Sequence, residues 1–322
     1  MHITRRQALA GLGLGTLGLP AAQAQPAWPN RTIRFIVPFA PGGPVEVPTR
    51  FIAEHLTRSL GQTILVETRP GAGGALGAQA VVRENDPHTL LVSTTAVAIA
   101  PALMANPGYH PLDDLVPISM VSDTPMVLLA KPDHAIKDLP DLIARAKARP
   151  GGITYATSGV GSTTHLAGAL LGVRAEIDLL HVPYRGAAQA MTALYAGDTD
   201  LLVIGTIEAL THIREGRLKA IGITSGERSP ALPDVPSIGS AVPGYDMTIW
   251  YAMFGPRSTP PEVVQRLAAE MAPLARGNIL ADRMQESGAR LLLDGPARLA
   301  ERMRIEVPLW RDVVRRAGIG AS

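Results

Sequence analysis

From residue 33 the sequence alternates short apolar runs with amphipathic helical stretches, several of them separated by loops of small residues. That alternation restricts the chain to an α/β architecture, because strands joined through helices form a parallel sheet with the helices packed on its faces. IRFIVPF (33–39) reads as a strand, and EVPTRFIAEHLTRSL (46–60) as a helix with Val47, Phe51, Ile52, Leu56 and Leu60 on one stripe. Pro48 fits that helix only in its first turn, and Gly61 stops it. TILVET (63–68) is strand, GAGGALGAQAVVRE (71–84) is glycine loop then helix, and HTLLVSTT (88–95) is strand.

A second set begins near Pro125. Strands are expected over 126–132, 153–158, 178–184, 199–205 and 218–224, with helices over 138–149, 164–172 and 187–197. The Pro/Gly/Ser-rich connector SGERSPALPDVPSIGSAVPGY (225–245) leads back to a strand, MTIWYAMFGP (247–256). Thr259-Pro260-Pro261-Glu262 reads as a capping box with Thr at the N-cap. Pro273 ends or bends the helix that follows. The last helix, 296–317, carries Leu299, Met303, Val307, Trp310 and Val314 as its buried stripe, with a kink expected at Pro308. The pattern implies two α/β lobes, residues 25–123 with 228–322 and residues 124–227. Two crossings, near 122–125 and 225–230, join them and leave a ligand cleft between.

The first 24 residues stand apart. MHITRRQALAGLGLGTLGLPAAQA has Arg5 and Arg6, a Leu/Gly/Ala-rich middle, a break at Pro20 and the small-x-small site Ala22-Gln23-Ala24. The Arg pair marks it as a twin-arginine export signal cleaved after Ala24, with an ordinary export signal or an anchor as the alternative. The precursor's formal charge is +2. Removing two arginines and no acid leaves a neutral chain, so the basic precursor does not argue for a nucleic-acid partner. The chain has no cysteine, which excludes thiol catalysis, disulfides and thiolate metal sites and suits an exported protein.

Several strand ends run into small-residue loops and helix starts. They are Ala40-Pro41-Gly42-Gly43, Gly71-Ala72-Gly73-Gly74, Ser93-Thr94-Thr95, the run Ser158 to Thr163, and Tyr184-Arg185-Gly186. Such ends line the ligand crevice of parallel sheets. Their N–H groups and helix dipoles favour an anion, most simply a carboxylate. Glu46 reads equally as a helix-start carboxylate or a ligand contact, and Arg185 as a cationic clamp or a surface charge. Trp250 and Tyr251 read as core. His165 and His181 read as hydrogen-bonded structural residues. No nucleophile–base pair, metal motif, phosphate loop or dinucleotide fingerprint is present, so no catalytic residue, metal or cofactor is expected.

The segments PFAPGGP (38–44), VETRPGAGGALGA (66–78), STTHLAG (162–168), HVPYRG (181–186) and HIREGRLKAIGITSGERSPALPDVPSI (212–238) resemble the Bug family. These are extracytoplasmic receptors of tripartite tricarboxylate transporters. The resemblance runs from about Trp28 to Ile319. It implies a type II periplasmic-binding-protein fold, closure of the lobes, a small carboxylate ligand, delivery to membrane permease subunits, a monomer and no catalysis. A signalling partner in place of the permease is the alternative, and an exported α/β hydrolase the rival class. Carried over position by position, Pro41, Gly42 and Gly43 resemble the loop that holds one carboxylate. Ser93, Thr94 and Thr95 resemble the next wall. Ser158, Gly159, Ser162 and Thr163, with Tyr184, Arg185 and Gly186, resemble the facing wall. Three departures stand out. Glu46 lies where Asp is common, Ala75 replaces an Asn, and Ile204-Gly205-Thr206 replaces a Phe-Asp-Asn run, so Thr206 joins the candidate set. They point to a ligand with one anionic end and an apolar or aromatic body, rather than citrate.

Overall fold

The computed structural model describes residues 28–41, 45–286 and 288–320; the export signal, Gly42 and Gly43 lie outside them. The first set of elements is β1 (Ile33–Val37), α1 (Glu46–Leu60), β2 (Ile64–Thr68), α2 (Ala75–Glu84), β3 (Thr89–Thr94) and α3 (Ala96–Leu103). Strands β2, β1 and β3 are parallel neighbours. The chain then enters β4 (Leu115–Ala130), followed by α4 (Leu139–Ala148), β5 (Thr154–Thr157), α5 (Thr163–Ala175), β6 (Leu180–Pro183), α6 (Ala187–Ala196), β7 (Leu201–Gly205), α7 (Thr206–Arg214) and β8 (Lys219–Ile223). After the connector come β9 (Thr248–Pro256), α8 (Pro261–Met271), α9 (Ile279–Glu286), β10 (Arg290–Leu291) and α10 (Pro296–Arg316).

Strand β4 belongs to both halves. Residues 115–125 pair with β9, which in turn pairs with β3. Residues 126–130 pair with β7 and β8, and β5 and β6 continue that sheet outward from β7. The sequence reading recovers only the second part, 126–132. Pro117, Pro125 and the polar run Ser122-Asp123-Thr124 hide the first, because proline and unpaired polar groups argue against a central strand. The structure accommodates them by register shifts against β9 and by side-chain pairing. Asp123 is 1% exposed. Its carboxylate accepts two hydrogen bonds from Arg290 on β10, from Nε to Oδ1 at 3.0 Å and from Nη2 to Oδ2 at 2.8 Å.

The crossing between halves is held by threonines. Met126 N–H donates to Thr224 Oγ1 at 2.8 Å, and Thr224 N–H returns a bond to the Met126 carbonyl at 2.9 Å. Met247 N–H donates to the Thr224 carbonyl, and Thr206 Oγ1 to the Pro125 carbonyl. The connector lies along the second half. Leu232 and Val235 pack with Ile204 and Ile223, and Tyr245 Oη donates to the Ala167 carbonyl. The chain rejoins the first sheet at Thr248.

The expected stripe of α10 is buried, and the helix runs through Pro308 without a break. It packs against α3 in the first half and α5 in the second. Glu306, absent from the apolar stripe, is also buried there. Its Oε2 accepts the indole N–H of Trp250 at 3.0 Å and of Trp310 at 3.2 Å, and Oε1 pairs with Arg302. The capping box at 259–262 does not form. Pro260 is the N-cap, one residue late, and the buried Thr259 hydroxyl has no partner among the described residues. Helices α3, α7 and α9 and the two-residue strand β10 are elements that periodicity did not single out.

Glu306→Ala would strand two buried indole donors and the Arg302 charge. It is expected to lower unfolding free energy by about 3 kcal/mol, read by urea denaturation. Glu306→Gln keeps an acceptor and should lose less. Equal losses for the two variants would contradict this account of the network.

Candidate functional site

Strand register brings the candidate loops together. Thr94, the last residue of β3, pairs with Tyr251 on β9, and Tyr251 pairs with Ser122 on β4. Gly205, the last residue of β7, pairs with Met126 on the same β4. The two sets of parallel strands therefore end within four residues of each other along β4, about 13 Å at ~3.3 Å per residue. Helices α3, α5, α6 and α7 start at these ends, so their positive dipole ends collect around the crossing. The loop after β5 also reaches the first half: a Cβ on Gly161 would lie 3.1 Å from Leu103 Cδ1, at the end of α3.

That loop is internally bonded. Ser162 caps α5, accepting from His165 N–H at 3.2 Å, and its hydroxyl donates to the Gly159 carbonyl at 2.7 Å. Thr164 Oγ1, which the sequence reading passed over, accepts from Ser158 N–H at 3.1 Å and lies 2.9 Å from Ser158 Oγ. Gly159 N–H donates to Thr157 Oγ1 and Gly161 N–H to His165 Nδ1. With φ of +133° and +73°, these two positions favour glycine. The loop's own amides are thus largely occupied. The unpaired donors of α5 are those that helix geometry leaves in its first turn, at Thr163 and Thr164.

The remaining candidates divide by environment. Thr94 is half-buried and accepts from Ala96 N–H. Ser93 and Thr95 are buried, and Thr95 is structural: its Oγ1 accepts from Trp250 N–H at 3.0 Å and donates to the Thr248 carbonyl. Thr206 is fully buried in the crossing. Glu46 is buried at the start of α1 and accepts from Arg50 Nε at 2.7 Å. Pro41 is exposed. Tyr184 is half-buried, with its N–H on the Thr157 carbonyl. Gly186 caps α6 at φ +100°. Arg185 is exposed, and its guanidinium has no partner among the described residues. Trp250 and Tyr251 are core residues. Burial pushes the Tyr251 hydroxyl up to about 12, and the Glu208 carboxylate adds to the effect.

His165 and His181 stack face to face, with ring centroids 3.7 Å apart and planes 8° from parallel. Each also holds the loop after β5: His165 Nδ1 accepts from Gly161, and His181 Nε2 lies 2.6 Å from Thr157 Oγ1. Burial lowers both rings to about 4, and His181 adds to the effect on His165. Both are therefore neutral at pH 7. Among the described residues no group of three His, Asp or Glu could hold a metal ion, and no helix is long and apolar enough to cross a membrane.

Comparison with known proteins gives the family and the fold. A family model described as "Tripartite tricarboxylate transporter family receptor" matches residues 49–289. BugT of Bordetella pertussis is 34% identical over 322 residues, covering 99% of this chain and 99% of its own. The solved periplasmic binding protein BugD is 33% identical with a TM-score of 0.70, covering 91% of this chain and 99% of that one. MatC of Rhodopseudomonas palustris, solved with bound malate, is 32% identical with a TM-score of 0.70, covering 89% and 99%.

The histidine pair carries a pH signature. Well above pH 6.5 the rings are neutral in folded and unfolded chains alike. As pH falls from about 6.5 to about 4, the unfolded chain takes up protons that the folded one refuses. Stability should drop by up to about 1.4 kcal/mol per pH unit for each ring. Urea denaturation at pH 7 and pH 4.5 measures the drop, which should shrink in His165→Gln/His181→Gln. An undiminished drop would assign it to other groups.

Proposed function

The chain belongs to the tripartite tricarboxylate transporter receptor family, and on that premise we propose that it captures a small carboxylate between its lobes and delivers it to the permease subunits of such a transporter. It is a solute-binding receptor with a periplasmic-binding-protein fold, not an enzyme. The observation that carries the ligand reading is the convergence of two sets of strand ends and helix N-termini on the Pro125–Met126 crossing, with Arg185 unpaired beside them. Oriented amides and one free guanidinium suit a carboxylate end. The malate bound to MatC supports the same ligand class.

The body of the ligand is apolar or aromatic in this reading. Val160, in the loop after β5, is 68% exposed, and Ile207, in the first turn of α7, is 49% exposed. Ala75 and the run Ile204-Gly205-Thr206 offer few polar side-chain groups to a far end. Residues 1–24 direct export and are removed after Ala24, and the receptor acts as a periplasmic monomer whose lobes close about the crossing.

Thermal unfolding of residues 25–322 against mono-, di- and tricarboxylates tests the assignment. A ligand at a hundred times its Kd adds about 2.7 kcal/mol. Monocarboxylates with apolar or aromatic bodies should raise Tm above the effect of citrate. A tricarboxylate as the tightest binder would remove the apolar-body reading, and a flat response to every carboxylate would remove the ligand class. Arg185→Gln should weaken the best carboxylate about tenfold or more while leaving the melt of the free protein in place.

A further inference from the structure

The charged groups at the strand ends are few, and most are already paired. After β1, Glu46 bonds Arg50. After β2, Arg69 lies 3.4 Å from both Glu67 and Glu84. The loops after β3 and β5 carry no charge before their helices start. Two charges remain without a hydrogen-bond or ion-pair partner among the described residues: Arg185 after β6 and Glu208 after β7. Strand β5 lies between β6 and β7, so the two positions stand two strand spacings apart, about 10 Å.

Glu208 is exposed, but its carboxylate does not extend straight outward. A Cβ built on Gly205 would lie 2.4 Å from Glu208 Oε2. The carboxylate therefore folds back over the last residue of β7, at the level of Met126 and the crossing. Gly205 pairs with Met126, and the preceding residue of β4, Pro125, pairs with Thr248 on β9, so this end of β7 lies at the border with the other half. Gly205 itself has an ordinary backbone, φ −61° and ψ 147°. The three atoms nearest the place of a side chain there all belong to the Glu208 carboxylate.

We propose that Glu208 sets which carboxylates this receptor accepts, disfavouring a second anionic end and receiving an ammonium or other N–H donor, so that the ligand is an amino-bearing monocarboxylate. This rests on the carboxylate reading of the preceding subsection. Arg185 and the first turn of α5 take the carboxylate end, and Glu208 takes the donor. A di- or tricarboxylate sets a second negative group against an unpaired carboxylate, which costs affinity. An amino group in that place gains a charge-assisted bond.

Calorimetric titration of the purified receptor with matched acids reads the effect. The probes are pentanoate, glutarate and 5-aminopentanoate, and benzoate, benzene-1,3-dicarboxylate and 3-(aminomethyl)benzoate. In each series the amino acid should bind about tenfold or more tighter than the diacid. Glu208→Gln should weaken the amino acid about tenfold, strengthen the diacid, and leave the plain monoacid within about twofold. Gly205→Ala, which displaces the carboxylate without removing it, should shift the ratio the same way by less. Two results overturn the proposal: a diacid that is the tighter ligand of the unaltered receptor, or an amino-to-diacid ratio that Glu208→Gln leaves within about twofold. Binding by none of the six acids overturns the carboxylate reading itself.

Discussion

Strand β4 passes from one sheet to the other between Pro125 and Met126, where reciprocal hydrogen bonds between Met126 and Thr224 close the end of the second sheet, and the placement of the candidate loops follows from that crossing. A parallel sheet puts the N-termini of its helices at one edge. Two such sheets face those edges toward each other only if the shared strand changes sheets where both sets end. Met126 is that residue on β4, and Thr224 supplies the matching groups from the end of β8. The Thr206 hydroxyl holds the preceding carbonyl, so the proline at 125 sits in a bonded crossing rather than a loose turn.

The outline of the fold was legible because its signals are local. The helices over 46–60 and 296–317 and the strands of both sets follow from apolar period, turn residues and glycine stops. What escaped the sequence reading depends on distant partners. The first eleven residues of β4 are hidden by two prolines and a buried aspartate, and become plausible as strand only once Arg290, 167 residues away, is known to cover Asp123. The capping box failed for a smaller reason: two consecutive prolines let the helix begin one residue later, leaving Thr259 out of reach.

The candidate site was partly legible for the same reason. Glycine and hydroxyl residues after strands announce their role in the chain order, and Ser158, Ser162 and Arg185 stand at the strand ends as expected. Composition cannot tell a hydroxyl that faces the cleft from one that holds the backbone. Thr95 and Thr206 belong to the second kind. Glu208 gave no signal of its own, since an acid in a helix's first turn is ordinary. Its interest comes from Gly205, three residues earlier, whose missing side chain leaves room for it.

Helix α10 lies far along the chain from the strand-end loops, yet it rests on α3 of one half and α5 of the other. Any rocking of the halves must shear one of those two seams. The resting angle of the molecule is therefore a property of α10 packing as much as of the crossing. An ancestral line could retune how tightly the receptor holds its cargo by drifting in this helix, with every residue around the cargo left untouched.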